Sequence, residues 1–118
     1  MSQDEYAEIQ ITFNQTVQPG QGYRVIKSYV LAGTITQIIF HFPPGCAGLV
    51  DMALTKDERP FYPLQNYLSL DNATPVFPVN VGYYANEPLK MEVRNRDAVN
   101  PHTPTCTVTI RFKKPSWW

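Results

Sequence analysis

The sequence predicts an all-β chain folded as a single antiparallel β-sandwich, and three features carry that expectation. Thr105 to Phe112 is an unbroken alternation, with Cys106, Val108, Ile110 and Phe112 on one face and Thr105, Thr107, Thr109 and Arg111 on the other. Successive side chains of a strand point to opposite sides of a sheet, so this period of two marks a half-buried strand. Weaker copies of the pattern recur along the chain, and no segment shows a comparable helical period. Turns rich in proline and glycine separate the copies.

The first strand is expected over Tyr6 to Phe13, where Ile9, Ile11 and Phe13 alternate with Glu8, Gln10 and Thr12; Pro19, Gly20 and Gly22 then mark a turn. Tyr23 to Leu31 is rich in β-formers and stops at Ala32-Gly33. In Thr34 to Phe42, residues Ile38, Phe40 and Phe42 share one face while Ile35 and Ile39 lie on the other. Apolar side chains on both faces place this strand centrally, covered on both sides, with a second subunit as one source of cover. Pro43-Pro44-Gly45 ends it, because proline cannot donate to the ladder and restricts the residue before it.

Gly48 to Thr55 follows, with Val50, Met52 and Leu54 on one face. Lys56 to Pro60 reads as a charged, solvated connection, Phe61 to Pro63 as a short extended piece, and Asn66 to Leu70 as a further strand. Asp71 to Pro75 is a turn of residues that bond their own backbone. Val76 to Tyr84 is extended, and its prolines at 75 and 78 argue for an edge position or a bulge. Leu89, Met91 and Val93 alternate with Lys90, Glu92 and Arg94 before a polar loop, Asn95 to Pro104, leads into the final strand. Eight strands in so short a chain suit a single jelly roll. An immunoglobulin-like sandwich is the alternative, but its two cysteines bracketing a core tryptophan are missing, since both tryptophans are C-terminal.

The chain of 118 residues fits one domain, residues 1–118, with an N-terminal arm at 1–5 and a C-terminal tail at 113–118. Hydrophobic residues make up 43% and aromatics 13%, which places the chain among globular rather than disordered sequences. Ten Lys+Arg balance ten Asp+Glu, and the basic residues are scattered, so nucleic acid is not an expected partner. Near-zero net charge is permissive for self-association. The first six residues have neither a basic nor an apolar segment of the secretory kind, and no apolar run is long enough to span a membrane. Cys46 and Cys106 are accordingly expected as free thiols, buried or half-buried.

No catalytic or cofactor signature stands out, and neither enzyme activity, metal nor cofactor is expected. His41 and His102, the two histidines, have no metal-like spacing to cysteine or carboxylate. Cys46 would be a nucleophile only with an activating neighbour such as a histidine beside it. Asp51 and Asp71 are among ten acidic residues, any two of which could face each other by chance as a glycosidase-like pair. Asn14-Gln15-Thr16 and Asn72-Ala73-Thr74 match the glycosylation pattern but lack a secretory context. Seven tyrosines could offer a sugar-stacking face, or simply pack at sheet rims with their hydroxyls in water.

The end of the chain is the most pointed feature. After Phe112 come Lys113, Lys114, Pro115, Ser116, Trp117 and Trp118. Tryptophan is concentrated at interface hot spots, so the tail is expected to dock on a neighbouring subunit or partner, the other outcome being a fold back onto its own sandwich. Tyr6, Ile35, Ile39, Trp117 and Trp118 are the candidate association residues.

The stretch Phe42 to Asp51, the turn Leu70 to Pro75 and the terminal alternating strand give the chain a character that resembles small jelly-roll virion proteins, notably head decoration proteins of tailed phages. The resemblance extends over most of the chain and is architectural, so no functional residue transfers position by position. It implies a non-enzymatic structural protein of the virus particle, assembled in the host cytoplasm. It further implies a homo-oligomer, with a trimer favoured, that contacts a major capsid protein or another virion component. A carbohydrate- or ligand-binding β-sandwich, such as a phage tail or accessory domain, is the second reading.

Overall fold

The computed structural model describes residues 5–63 and 66–118. The expected N-terminal arm therefore lies outside the described residues except for Glu5. Among the described residues there are eight strands: β1 (Tyr6–Asn14), β2 (Gly22–Lys27), β3 (Gly33–His41), β4 (Val50–Lys56), β5 (Arg59–Tyr62), β6 (Val76–Tyr83), β7 (Leu89–Asn95) and β8 (Thr105–Lys113). They form two four-stranded sheets, ordered β1-β8-β3-β6 and β2-β7-β4-β5.

The pairing follows one rule. β1 runs antiparallel to β8, β2 to β7, β3 to β6 and β4 to β5. The chain is thus one long doubled ribbon, turned at β4–β5 and wrapped so that β8 also meets β3 and β7 also meets β4. That is the jelly roll. In an immunoglobulin-like sandwich the first strand neighbours the second, whereas here it neighbours the eighth.

The core lies between the sheets. Phe13, Ile35, Ile38, Phe40, Ile110 and Phe112 face inward from one sheet, and Val50, Met52, Leu54, Leu89 and Met91 from the other, all nearly or fully buried. The alternation in β8 is realised in full, with Cys106, Val108, Ile110 and Phe112 inside. β6, with Pro78 inside it, is an edge strand and its register with β3 is irregular. Both outcomes follow from a residue that cannot donate to a ladder.

Three expectations are corrected. Lys56 to Pro60 is a tight hairpin, not a loop: Lys56 pairs with Arg59, and Asp57 and Glu58 both take positive φ, 51° and 64°. Two left-handed residues in a two-residue connection match the right-handed twist of the flanking strands. Phe61 and Tyr62 thereby belong to β5, while Asn66–Leu70 is not a strand and contributes a single bridge, Leu68 to Met52, on the same edge of β4. Ile35 is not on the outer face. A bulge between Ile35 and Gln37 shifts the register against both β6 and β8, which turns Ile35 inward with Ile38 and Phe40. It is fully buried and offers no surface for association. Ile39 does face outward, paired with Thr107 and Val76, and is half-buried.

Alternating strand direction gives the sandwich two distinct ends. The β2–β3, β4–β5 and β6–β7 connections share one end with the start of β1 and the finish of β8, here called the tail end. The other four connections share the opposite end. Ile35→Ala should cost roughly 2–5 kcal/mol as a core truncation, and Ile39→Ala well under half of that. Urea unfolding of the two variants checks the bulge, and equal losses would contradict it.

Candidate functional site

The end opposite the tail gathers most of the chemically suggestive residues and ties them into structure. The two stretches Phe42 to Asp51 and Leu70 to Pro75 meet there: Phe42 bridges Ala73, and Asp71 Oδ1 accepts hydrogen bonds from the Gly45 and Ala47 backbone N–H groups at 3.0 and 2.9 Å. Gly45, Ala47 and Gly48 all have positive φ, so Asp71 caps a left-handed turn. His102, expected as a plain loop residue, is buried; it bridges Val17 and its Nε2 lies 2.9 Å from Asp97 Oδ2. Asp97 Oδ1 also accepts from the N–H groups of Val99 and Asn100. The His102 hydrogen bond, with those two backbone donors, holds the Asp97 carboxyl well below the usual range, at about 2.

Cys46 is buried at this end, and burial together with the Asp71 and Asp97 charges pushes its thiol upward. Those are the opposite of the conditions that make a thiolate nucleophile. Cys106 is a buried free thiol pushed up to about 12 by burial. Among the described residues no group of three or more His, Cys, Asp or Glu is placed to hold a metal ion, and no helix is long and apolar enough to cross a membrane.

The outer face of the β2-β7-β4-β5 sheet carries the densest polar cluster. Arg94 and Asp51 face each other across β7 and β4, and Arg24, Glu92 and Ala53 form the next row. Asp51, with only 3% of its side chain exposed, receives Arg94 Nε at 2.5 Å, Arg96 Nε at 2.9 Å and Ser69 Oγ at 2.5 Å. Burial raises the Asp51 pKa, but the hydrogen bonds from Arg96, Ser69 and Arg94 and the Arg96 charge outweigh it and hold the carboxyl below its ordinary value. Asp51 is a fixed anion rather than half of a glycosidase couple; Asp71 is occupied elsewhere as a turn cap. The Arg94 guanidinium also lies 4.2 Å from the centre of the Tyr67 ring, and the Tyr67 hydroxyl donates to Glu92 at 3.2 Å.

The seven tyrosines do not assemble on one face. Tyr83 is buried, donating to the Glu87 carbonyl and accepting from the Tyr29 N–H; Tyr62 stacks on Phe77; Tyr6 lies under Arg111. Tyr23 and Tyr67 border a common depression.

The tail end exposes several large apolar side chains beside the charged β4–β5 turn. Phe112 touches both Tyr29, at 5.5 Å between ring centres, and Trp118, at 5.4 Å edge-on, and Trp118 in turn touches Trp117. Trp118 therefore folds back onto its own sandwich, yet it stays 57% exposed and Trp117 74% exposed. Val30 and Tyr84, in the β2–β3 and β6–β7 loops of the same end, are 66% and 77% exposed. Tyr29 ties those loops together, because its carbonyl accepts from the Asn86 N–H and its N–H donates to Tyr83. Sequence reasoning found the two tryptophans but not Val30 or Tyr84, which no local pattern marks. It also missed the partners of Asp51, although the outward alternation of Lys90, Glu92 and Arg94 was legible.

No protein-family model matches the sequence, and no curated protein matches it. Among solved structures the fold is similar to FlhE, with a TM-score of 0.52 at 14% identity, covering 92% of this chain and 98% of that one. It is also similar to the Yersinia pseudotuberculosis-derived mitogen, at TM-score 0.48 and 8% identity over 93% of this chain and 92% of that one. A chain from the infectious bursal disease virus Gx strain gives TM-score 0.39 at 10% identity, with 97% of this chain covering 33% of that one. At these identities the FlhE likeness establishes the fold alone.

Asp51 and Asp97 are both held below the carboxyl value of an unfolded chain, about 3.9. Their stabilisation is therefore complete above that pH and is lost as the pH falls through the folded value, about 2 for Asp97. Urea midpoints should drop between about pH 4 and pH 2, and Asp97→Asn should flatten part of that drop. An unchanged pH profile in the variant would contradict the assignment.

Proposed function

We propose that this chain is a non-enzymatic structural protein of a virus particle: an oligomeric decoration or stabilising protein, a trimer by preference, that binds its own copies and a major capsid protein or other virion component. The observation that carries this reading is the exposed aromatic and aliphatic side chains of the tail end. Trp117, Trp118, Tyr84 and Val30 together leave large apolar side chains in water on a chain whose core is otherwise complete. Large apolar side chains left exposed at one end mark an interaction surface, and tryptophan supplies much contact area at modest entropic cost.

The jelly roll suits such a role. Its core holds the sandwich rigid and leaves both sheet faces, the edges β1, β2, β5 and β6, and the tail end as contact surfaces. Repeated copies on a shell turn weak individual contacts into strong attachment, because each further contact is made at high effective concentration. The absence of net charge removes the repulsion that would hold copies apart. Ile39, with Val76 beside it on the outer face of the other sheet, supplies a smaller second apolar spot.

Sedimentation velocity at micromolar concentration tests the proposal. The intact chain should sediment above the mass of one chain, and removal of residues 115–118 should return it to monomer. Trp117→Ser keeps the Trp118 contact on Phe112 and so preserves the fold, yet should weaken association about tenfold or more, as loss of a hot-spot side chain does. Association unchanged in both variants would overturn the assignment of this surface.

A further inference from the structure

We propose that the outer face of the β2-β7-β4-β5 sheet, on a different surface from the tail end, is a binding site for an acidic sugar, a ligand that carries both a carboxylate and hydroxyls. The site starts from a missing side chain. Gly22 faces Arg94 in the β2–β7 register, and an added Cβ there would come within 3.1 Å of the Val93 carbonyl oxygen. The gap opens a depression of about 500 Å³ bordered by Tyr23, Arg24, Tyr67, Glu92 and Arg94. A second depression, about 470 Å³, lies on the far side of Arg94 and Tyr67 and is bordered by Ser69 and Arg96.

Arg94 stands between the two depressions with its orientation fixed. Its Nε is bonded to Asp51 and its guanidinium plane is seated on the Tyr67 ring, while 54% of the side chain remains exposed. Among the described residues neither of its terminal nitrogens makes a hydrogen bond. Two parallel N–H donors at the end of a fixed guanidinium match the two oxygens of a carboxylate. Because Asp51 and Tyr67 already hold the fork, little side-chain freedom is lost when a ligand arrives.

The surroundings complete what a sugar acid needs. Arg24, 72% exposed and paired with Glu92 across β2 and β7, adds a second cation on the same face. Glu92, held by the Tyr67 hydroxyl and flanked by Arg24 at 3.9 Å and Lys90 at 3.7 Å, is an acceptor for sugar hydroxyls. Arg24, Arg94 and Arg96 surround the depressions, whereas one of the two carboxylates present, Asp51, is sunk beneath them. The open surface is therefore positive, and complementary to an anionic rather than a neutral saccharide.

Isothermal titration of the full chain with trigalacturonate, and with neutral galactotriose as the matched control, tests this. Saturable binding of the acid, and at least tenfold weaker binding of the neutral sugar, is expected. Arg94→Ala should weaken trigalacturonate binding about tenfold, as loss of a charge-assisted pair of hydrogen bonds does. Should that variant fail to fold because Asp51 loses a partner, Arg24→Ala, which leaves the Asp51 cluster intact, should still weaken binding. No heat of binding, equal binding of the neutral sugar, equal competition by sulfate at the same charge, or full affinity in Arg24→Ala would each overturn the proposal. Deletion of residues 115–118 should leave the titration unchanged, so this site and the tail end stand or fall separately.

Discussion

Pairing between the first strand and the last is the constraint on which everything else depends. Thr12 and Thr107 lie side by side although 95 residues separate them in the chain. Such a contact is expensive to close by itself, because the intervening chain must surrender its freedom before the ladder gives anything back. The doubled ribbon spreads that cost. The β4–β5 hairpin joins neighbours in the chain through Asp57 and Glu58, and the pairs beyond it along the ribbon, β3–β6, β2–β7 and β1–β8, span progressively longer stretches of chain. β8 is the element that profits most, since it is hydrogen-bonded on both sides and its whole inner face is buried.

Closing the ribbon this way makes the two ends of the molecule chemically unequal. At one end, loops must turn sharply between sheets, and polar side chains satisfy the turning backbone: Asp71 for Gly45 and Ala47, Asn95 for Val17 and Asn100, Asp97 for Val99 and Asn100. Residues that look reactive in isolation, His102, Cys46 and Asp71, are drawn into that task or packed against it. The tail end is different. The chain runs past Phe112, caps that ring with Trp118 and leaves Trp117 outside. One end spends its special residues on holding itself together, and the other presents them.

Sequence periodicity could reveal whatever depends on neighbours two residues apart. β1, β4, β7 and β8 were legible for that reason, and the edge position of β6 followed from Pro78. Ile35 was misplaced because a bulge inserts one residue, Thr36, that the partner strand does not match, and period counting has no access to register. The β4–β5 turn was hidden because Asp57 and Glu58 adopt left-handed geometry without the glycine or asparagine that usually announces it. The arginine cluster on Asp51 joins residues 43 to 45 positions apart, and the depression beside Gly22 exists only once β2 lies against β7. Neither leaves a trace in any local window. The tail was legible because it is local: two adjacent tryptophans after a proline.

Because Trp117 and Trp118 are the two tryptophans of the chain, emission excited selectively from tryptophan reports on the tail end. The most direct measurement is therefore tryptophan emission and acrylamide quenching of the intact protein across a concentration series from nanomolar to tens of micromolar. If the tail end is a contact surface, the emission should move to shorter wavelength and the quenching constant should fall as the concentration rises, both saturating together. Emission and quenching typical of water-exposed indole at every concentration, with and without partner shells added, would contradict the account.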